Sequence, residues 1–256
     1  MSAVRWALTG AVLAQALCLS CRSAEPAPDV MPDMANQAMS ARMGMDDTAT
    51  IGKVMLDQLE LAGGSAATAL AWDGQAWYGG DYDKVWLKTQ GSPDPGNLDT
   101  SRNELLWDHA FTRWWDLQSG VRYDVGHGPA RGWAAVGIEG LAAYWFDVEA
   151  TVYAGEAGRT AARLRIEHDV LITQRLIVQP EVEANFYGKP DAAREVGSGL
   201  SDLQLGLRVR YEIRRELAPY VGVAWRRDLD AAARIARGSG AGADGLQWVA
   251  GLHVWL

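Results

Sequence analysis

The stretch RLRIEHDVLITQRLIVQPEVEANFYG, Arg163–Gly188, alternates charged or polar residues with apolar ones over two strand lengths. Only a few residues around Thr173 and Gln174 interrupt the alternation. A period of two places successive side chains on opposite faces of a β-strand. The stretch therefore predicts two strands joined by a tight turn, each with one apolar and one polar face.

The same alternation occurs elsewhere, most clearly in Leu203–Ile213 and Tyr144–Ala154. From about Ile51 onward the period of two persists to the end of the chain. We expect about twelve strands, near residues 52–61, 67–78, 82–90, 102–111, 115–125, 132–140, 143–154, 160–171, 175–187, 201–214, 218–227 and 246–256.

The connections between these strands fall into two classes. Those after the second, fourth, sixth, eighth and tenth strands are tight, as in YGGD and TQ. The connections after the third, fifth, ninth and eleventh strands are long and polar, as in GSPDPGNLDTS and GKPDAAREVGSG. Up-and-down strands place alternate connections at opposite ends, so all the long loops share one end. This layout is typical of an up-and-down antiparallel outer-membrane β-barrel with both termini in the periplasm.

Alternation alone also fits a soluble β-sandwich or barrel with its apolar face inward. Twelve Trp and eight Tyr against three Phe favour the membrane barrel, because aromatic residues with one polar end suit the membrane interface. In that barrel Leu164, Ile166 and Val182 face lipid. The residues expected to line the lumen, where carboxylates pair with arginines, are Arg163, Arg165, Glu167, Asp169, Glu181, Glu183, Arg208, Arg210 and Glu212.

The N-terminal part divides into two segments. Residues 1–24 have a basic residue followed by WALTGAVLAQALCLS, which indicates a secretory signal peptide rather than a spanning helix. Residues 25–50 lack apolar periodicity and predict a flexible, disordered periplasmic tail, and residues 51–256 form the expected barrel. Cys18 and Cys21 lie at the signal segment, so no disulfide framework is expected. A net charge of −8 argues against a nucleic-acid partner.

The tail contains a cluster of methionines: Met31, Met34, Met39, Met43 and Met45. A flexible polar segment has no core for methionine to fill, whereas thioethers are soft ligands that select Cu(I). The cluster therefore suggests copper as cofactor or cargo, in the Cu(I) state. The alternative is an accident of composition in an unstructured segment.

Other candidate groups carry weaker signals. His109, His127, His168 and His253 are scattered, and no pair has the spacing of metal ligands. If the tail does not bind metal, ligands would lie in the barrel, toward His127, Met55 or the acidic lumen. The serines belong to no recognisable hydrolase motif, so we expect no catalytic residue and no enzyme activity.

Three segments, AWDGQAWYGGDYDKVWLKTQG (71–91), the run from WDLQSGVRYDVGHG to NFYGK (115–189) and GSGLSDLQLGLRVRYEIRRELAPYVGVAW (197–225), resemble the copper resistance protein B family of Gram-negative bacteria. The resemblance covers roughly residues 50–256. It implies an outer-membrane barrel with a metal-binding N-terminal tail, copper tolerance, and a periplasmic multicopper oxidase as a candidate partner. The family tail mixes Met with His, but this tail has no His.

The resulting hypothesis is an outer-membrane barrel whose tail binds copper and whose charged lumen stores copper or passes it outward. Its partners would be copper ions and outer-membrane lipid. The alternative is a narrow porin for another small solute with an incidental Met-rich tail. A third class, an outer-membrane hydrolase, has no motif in its favour.

Overall fold

The computed structural model describes residues 49–63, 68–94, 97–126, 128–194, 196–229 and 244–256. Residues 49–256 form one compact unit. Within the described ranges, no helix has the length and apolar character needed to cross a bilayer.

The described part of this unit consists of thirteen strand segments and three single-turn 3-10 helices, Ala143–Trp145, Glu156–Gly158 and Ala192–Arg194. The segment β9 is a two-residue continuation of β8 beyond Asp169, so twelve strands make the wall. The strands are β1 (Ile51–Gly63), β2 (Thr68–Gly79), β3 (Asp83–Asp94), β4 (Asn97–Ala110), β5 (Trp115–Gly126), β6 (Arg131–Leu141), β7 (Phe146–Gly155), β8 (Arg159–His168), β9 (Val170–Leu171), β10 (Leu176–Tyr187), β11 (Gly199–Tyr211), β12 (Leu217–Asp228) and β13 (Asp244–Trp255).

The sheet closes on itself. Each strand pairs antiparallel with its neighbours in sequence, and β1 also pairs with β13, from Met55 opposite Trp255 to Gly63 opposite Trp248. Closure leaves no free edge whose backbone N–H and C=O groups would lack partners. The expected twelve-strand antiparallel barrel is therefore confirmed.

The barrel is apolar outside and polar inside. On β11, Leu205, Leu207 and Val209 are exposed, whereas Arg208 and Arg210 on the alternate positions are only 1% and 9% exposed. Buried carboxylates, amides and arginines recur around the ring, and large aliphatic side chains cover its outer surface. A soluble barrel has the opposite arrangement. This distribution is that of a membrane barrel with a polar interior.

One predicted loop is wrong. The polar connection expected at 91–101 is mostly strand: Gly91 pairs with Ser101, and Asp94 pairs with Asn97. Pro93 falls at a register shift, where a residue that cannot donate to the ladder is tolerated. The Gly, Ser, Asp and Pro residues suggested a loop, but an antiparallel partner satisfies their backbone. Longer connections do follow β10, at 188–198, and β12, at 229–243.

Aromatic side chains cluster at the end of the barrel that carries the termini and tight turns. The turn between β6 and β7 holds Tyr144 and Trp145 at φ 65° and 64°, both strongly exposed. Two successive positive φ values match the twist of a two-residue hairpin turn, although this conformation is unfavourable for residues with a Cβ. Trp114 packs edge-on against Trp145, with ring centroids 5.9 Å apart. These side chains are placed as an interfacial aromatic belt would be.

The outward orientation of the apolar face predicts the effect of a charge there. Val121 is 57% exposed and pairs with Leu105 and Ala134 in the middle of the wall. Val121→Arg should lower the free energy of unfolding from lipid vesicles by about 2–4 kcal/mol, the cost of a cation near the bilayer midplane. Asp81→Arg, in the exposed turn after β2, serves as the control and should cost less than about 1 kcal/mol. Equal costs in urea titrations would contradict the lipid-facing assignment.

Candidate functional site in the barrel lumen

The lumen is organised around β8, where Arg163, Arg165 and Glu167 alternate on the inner face. Strand register brings Glu167 opposite Glu181 of β10, and Arg165 opposite Glu183 of β10. On the other side of β8, Arg165 lies opposite Glu149 of β7. The ladder thus interleaves cations and carboxylates over three adjacent strands.

The two arginines of β8 each engage several partners. Nη1 of Arg163 lies 3.1 Å from Glu149, and Nη2 lies 2.9 Å from Glu183. Nη1 of Arg165 lies 2.5 Å from Asp73, and its Nε pairs with Glu167 and, at 3.2 Å, with Glu181. Charged groups this deeply buried are favourable only when paired in this way.

Some of these pairs cross the lumen. Asp73 lies on β2, six strands from β8 in either direction around the ring, so the Arg165–Asp73 pair spans the barrel. Arg102 of β4 similarly donates to Asn185 of β10 over 3.2 Å. The interior is therefore bridged by side chains rather than open along its length.

A second cluster of hydrogen-bonded charged residues lies where the sheet closes, near β1 and β11–β12. Arg208, on β11, contacts Glu60 of β1 at 3.1 Å, donates to Gln58 over 3.1 Å and pairs with Glu181. Tyr220 of β12 donates to the same Glu60 over 3.1 Å. This cluster ties β10, β11 and β12 to β1 and so supports the closure of the barrel.

The half of the barrel farther from the termini is filled by a smaller cluster. Arg122 donates to both oxygens of Asp124, over 2.7 and 2.9 Å, and Trp133 donates to Asp124 over 3.0 Å. The Arg122 guanidinium lies 4.5 Å from the ring centroid of Tyr153. The expected consequence of this packing is a rigid constriction above the ladder.

The described residues of the connection 188–198, 188–194 and 196–198, form a strap over the ends of β5–β8 that lie farther from the termini. Asp191 accepts from Arg131 over 3.0 and 2.9 Å and lies 3.6 Å from Arg159. Lys189 donates to the Ala157 carbonyl over 3.0 Å, and Arg194 donates to the Pro129 carbonyl over 2.9 Å. These contacts fasten the strap to two neighbouring connections.

Between the bridges lies a cavity of about 180 Å³. Its lining is polar and includes amide side chains as well as charged groups. The carboxylates are Asp57, Asp73, Glu104, Glu139, Asp147, Glu149 and Glu167. The cations are Lys88, Arg102, Arg163 and Arg165. The lining therefore has three more carboxylates than cations.

The structure brings together most of the residues predicted to line the lumen. Arg163, Arg165, Glu167, Glu181, Glu183 and Arg208 belong to the network just described. Arg210 pairs with Asp169 at 2.8 Å near the turns, where Asp169 is partly exposed. Glu212 follows β11 and is half-buried in the turn.

The predicted metal-binding methionines of the tail, Met31, Met34, Met39, Met43 and Met45, lie outside the described residues, as does His127. His253 lies 3.3 Å from the Asp57 carbonyl at the lumen's terminal end. His109 contacts Asp83 at 2.9 Å, and His168 stacks on Phe146. Among the described residues, no three His, Cys, Asp or Glu side chains lie together in an arrangement that could hold a metal ion.

Sequence reasoning missed several lumen residues on β1–β5, including Glu60, Asp73, Lys88 and Glu104. The sequence contains the pattern that could have identified them. The strand expected at 102–111 places the charged residues Arg102, Glu104 and Asp108 on one face. The alternation that identified β8 and β10 would have identified these residues too.

Comparisons with known proteins agree with this architecture. A family model described as Copper resistance protein B precursor (CopB) matches residues 50–256. Copper resistance protein B of Escherichia coli is 44% identical over 210 residues, 82% of this chain and 71% of the relative. A Copper resistance protein B homolog of Pseudomonas syringae pv. tomato (strain ATCC BAA-871 / DC3000) is 42% identical with the same coverage. A NanC porin structure matches with a TM-score of 0.50 at 8% identity, over 80% of this chain and 99% of that chain.

The closed ring with an apolar exterior and a charged interior defines a β-barrel of the outer-membrane type. The sequence comparisons identify which one: the chain belongs to the copper resistance protein B family. Membership places it in copper resistance and in the outer membrane, and it favours a non-enzymatic role.

The shared role of Arg165 predicts a large destabilisation when it is removed. Arg165→Ala should lower the free energy of unfolding by about 3–5 kcal/mol, because the buried Asp73 and Glu181 and the half-buried Glu167 lose a partner. Arg175→Ala, in the exposed turn before β10, should change it by no more than about 0.5 kcal/mol. Urea unfolding in detergent micelles measures both. A cost below 1 kcal/mol for Arg165→Ala would contradict the network.

The contacts of the strap allow a separate prediction about the barrel end that it covers. Asp191→Ala should expose the connection 188–198 and accelerate trypsin cleavage after Arg194 by about three- to tenfold, as expected when ion pairs worth roughly 1 kcal/mol are lost. Glu156→Ala, in an adjacent turn, is the control and should leave the rate unchanged. Unchanged cleavage in the Asp191 variant would show that the strap is held by other contacts.

Proposed function

We propose that this protein binds copper at the outer membrane, with the N-terminal tail as the capturing segment and the barrel as its anchor. The observation that carries the proposal is membership of the copper resistance protein B family together with five methionines between residues 31 and 45. Thioethers favour Cu(I) and need no deprotonation, so they can bind without competition from protons. Met31, Met34, Met39, Met43 and Met45 are the proposed ligands.

The tail is proposed to lie in the periplasm. In a barrel with an even number of spanning strands, both termini emerge at the same end, which here is the end with the tight turns. Copper delivered to the periplasm would then meet the tail before the lumen. A periplasmic multicopper oxidase is a proposed partner, because oxidation of Cu(I) in the same compartment would change which ligands hold the metal.

The charged lumen would store copper or pass it outward. The cross-lumen pairs from Arg165 to Asp73 and from Arg102 to Asn185 disfavour the alternative of a general porin for small solutes. An open porin keeps a continuous water-filled path, whereas these pairs divide the interior. Passage of copper would therefore need side-chain rearrangement or transfer between polar groups.

The proposal predicts that copper binding depends on the tail methionines. A full-length variant with all five changed to Leu should lose most of its Cu(I) binding in anaerobic competition titrations. Cells producing the variant should also lose copper tolerance. Leu preserves size and apolar character but removes the sulfur, so the loss would report on ligation.

Met55→Leu is the matched control, because Met55 lies in β1 and outside the tail. This variant should keep wild-type binding. Unchanged binding in the five-fold variant would move the ligands into the barrel and overturn the tail assignment. Loss of binding in Met55→Leu alone would do the same.

A further inference from the structure

The cavity in the lumen has more negative than positive charge. Three lining carboxylates lack a cation of their own even when every lining Lys and Arg is counted once. Uncompensated carboxylates in a buried site are costly unless a counter-ion or proton joins them. The excess of negative charge in the lining therefore favours the binding of a cation in the cavity.

The lining cations are already committed to other partners. Lys88 lies 2.6 Å from Glu139, 3.3 Å from Glu149 and 3.4 Å from Gln118, which accounts for its three N–H donors. Arg102 donates from Nη2 to Asn185 over 3.2 Å, and its Nη1 forms an ion pair with Glu183 at 3.9 Å but no hydrogen bond among the described residues. The partners of Arg163 and Arg165 are those of the β8 ladder.

Glu104 is left with a free acceptor. It is 2% exposed, lines the cavity and accepts from Tyr153 through Oε1 over 2.9 Å. Its Oε2 atom is buried and has no hydrogen-bond partner among the described residues. No lysine or arginine of the described chain lies within ion-pairing distance of Glu104. Asp147, another lining carboxylate, also forms no ion pair within the described ranges, but it is exposed, so Glu104 is the buried carboxylate that lacks a cation.

We propose that this cavity binds a hydrated divalent cation, with Glu104 as its protein ligand. The side-chain atoms of the lining that could coordinate an ion are all oxygens, from carboxylates, amides and a threonine. Oxygen ligands select hard or borderline divalent ions over Cu(I). In the described part of the chain no three acidic groups are arranged so that they could hold a metal ion together, so the ion keeps most of its water. The cavity of about 180 Å³ has room for that shell, since one water needs only about 10–15 Å³.

This site goes beyond the proposed function and differs from the tail in chemistry. The tail offers sulfur for a monovalent soft ion, and the cavity offers oxygen and net negative charge for a divalent one. Oxidised copper is one ion that the cavity would accept, because divalent copper binds oxygen and nitrogen sites more strongly than neighbouring metals do.

Mn²⁺ is the probe that separates the two sites, because it binds oxygen ligands and is retained poorly by thioethers. Its aqueous electron paramagnetic resonance signal falls on binding, so free Mn²⁺ can be titrated against the full-length protein in detergent. We expect about one bound Mn²⁺ per chain in the wild type, and the same in the variant with five tail Met changed to Leu. Glu104→Gln, which can still accept from Tyr153, should weaken binding at least tenfold.

Two further variants complete the test. Asp116→Asn removes a carboxylate inside the barrel but outside the cavity lining and should change the affinity less than twofold. Glu104→Asp keeps the charge and should retain measurable binding. Equal Mn²⁺ affinity in wild type and Glu104→Gln would overturn the proposal, as would an equal loss in Asp116→Asn. The Cu(I) titration of the tail is unaffected by either outcome.

Discussion

Backbone hydrogen bonding is the constraint on which the rest of the structure depends. In the hydrocarbon region no water can pair with a free N–H or C=O group, so a sheet must close. The pairing of β1 with β13 provides that closure. Once the ring is closed, alternate side chains must face either lipid or lumen, and this requirement explains why the sequence alternates so regularly.

Closure also confines a large number of charges to a narrow interior. Apolar and aromatic side chains such as Leu106, Trp133 and Tyr153 fill only part of the lumen, because most inward-facing positions are polar or charged. The buried charges are stabilised because each arginine pairs with carboxylates from several strands at once, as Arg165 does with partners on β2, β8 and β10. Removing one partner leaves the other charge buried and unpaired, which is costly. The ion pairs of the interior therefore stabilise the barrel together, even though each pair alone adds little net stability.

The fold could be predicted from local pattern, because the alternation of polar and apolar residues can be read directly from one sequence. The strands β8, β10 and β11 illustrate this, since their charged and apolar sets sort correctly to opposite faces. The extension of β3 and β4 through 91–101 could not be predicted, because Gly, Ser and Pro there lack a strand's composition and only the partner's hydrogen bonds stabilise it. The pairing of Arg165 with Asp73 depends on strand number and register around the whole ring, which no local pattern contains. The surplus charge near Glu104 likewise emerges only when side chains from opposite walls are brought together.

The claim that side chains divide the lumen is tested most directly by conductance. Single-channel currents of the refolded wild-type protein in a planar bilayer at high potassium chloride report whether a continuous aqueous path exists. Buried ion pairs are screened only weakly by salt, so the account predicts a closed baseline without stable porin-like steps. Sustained open-channel currents in every incorporated molecule would contradict it and would return the barrel to the class of general pores.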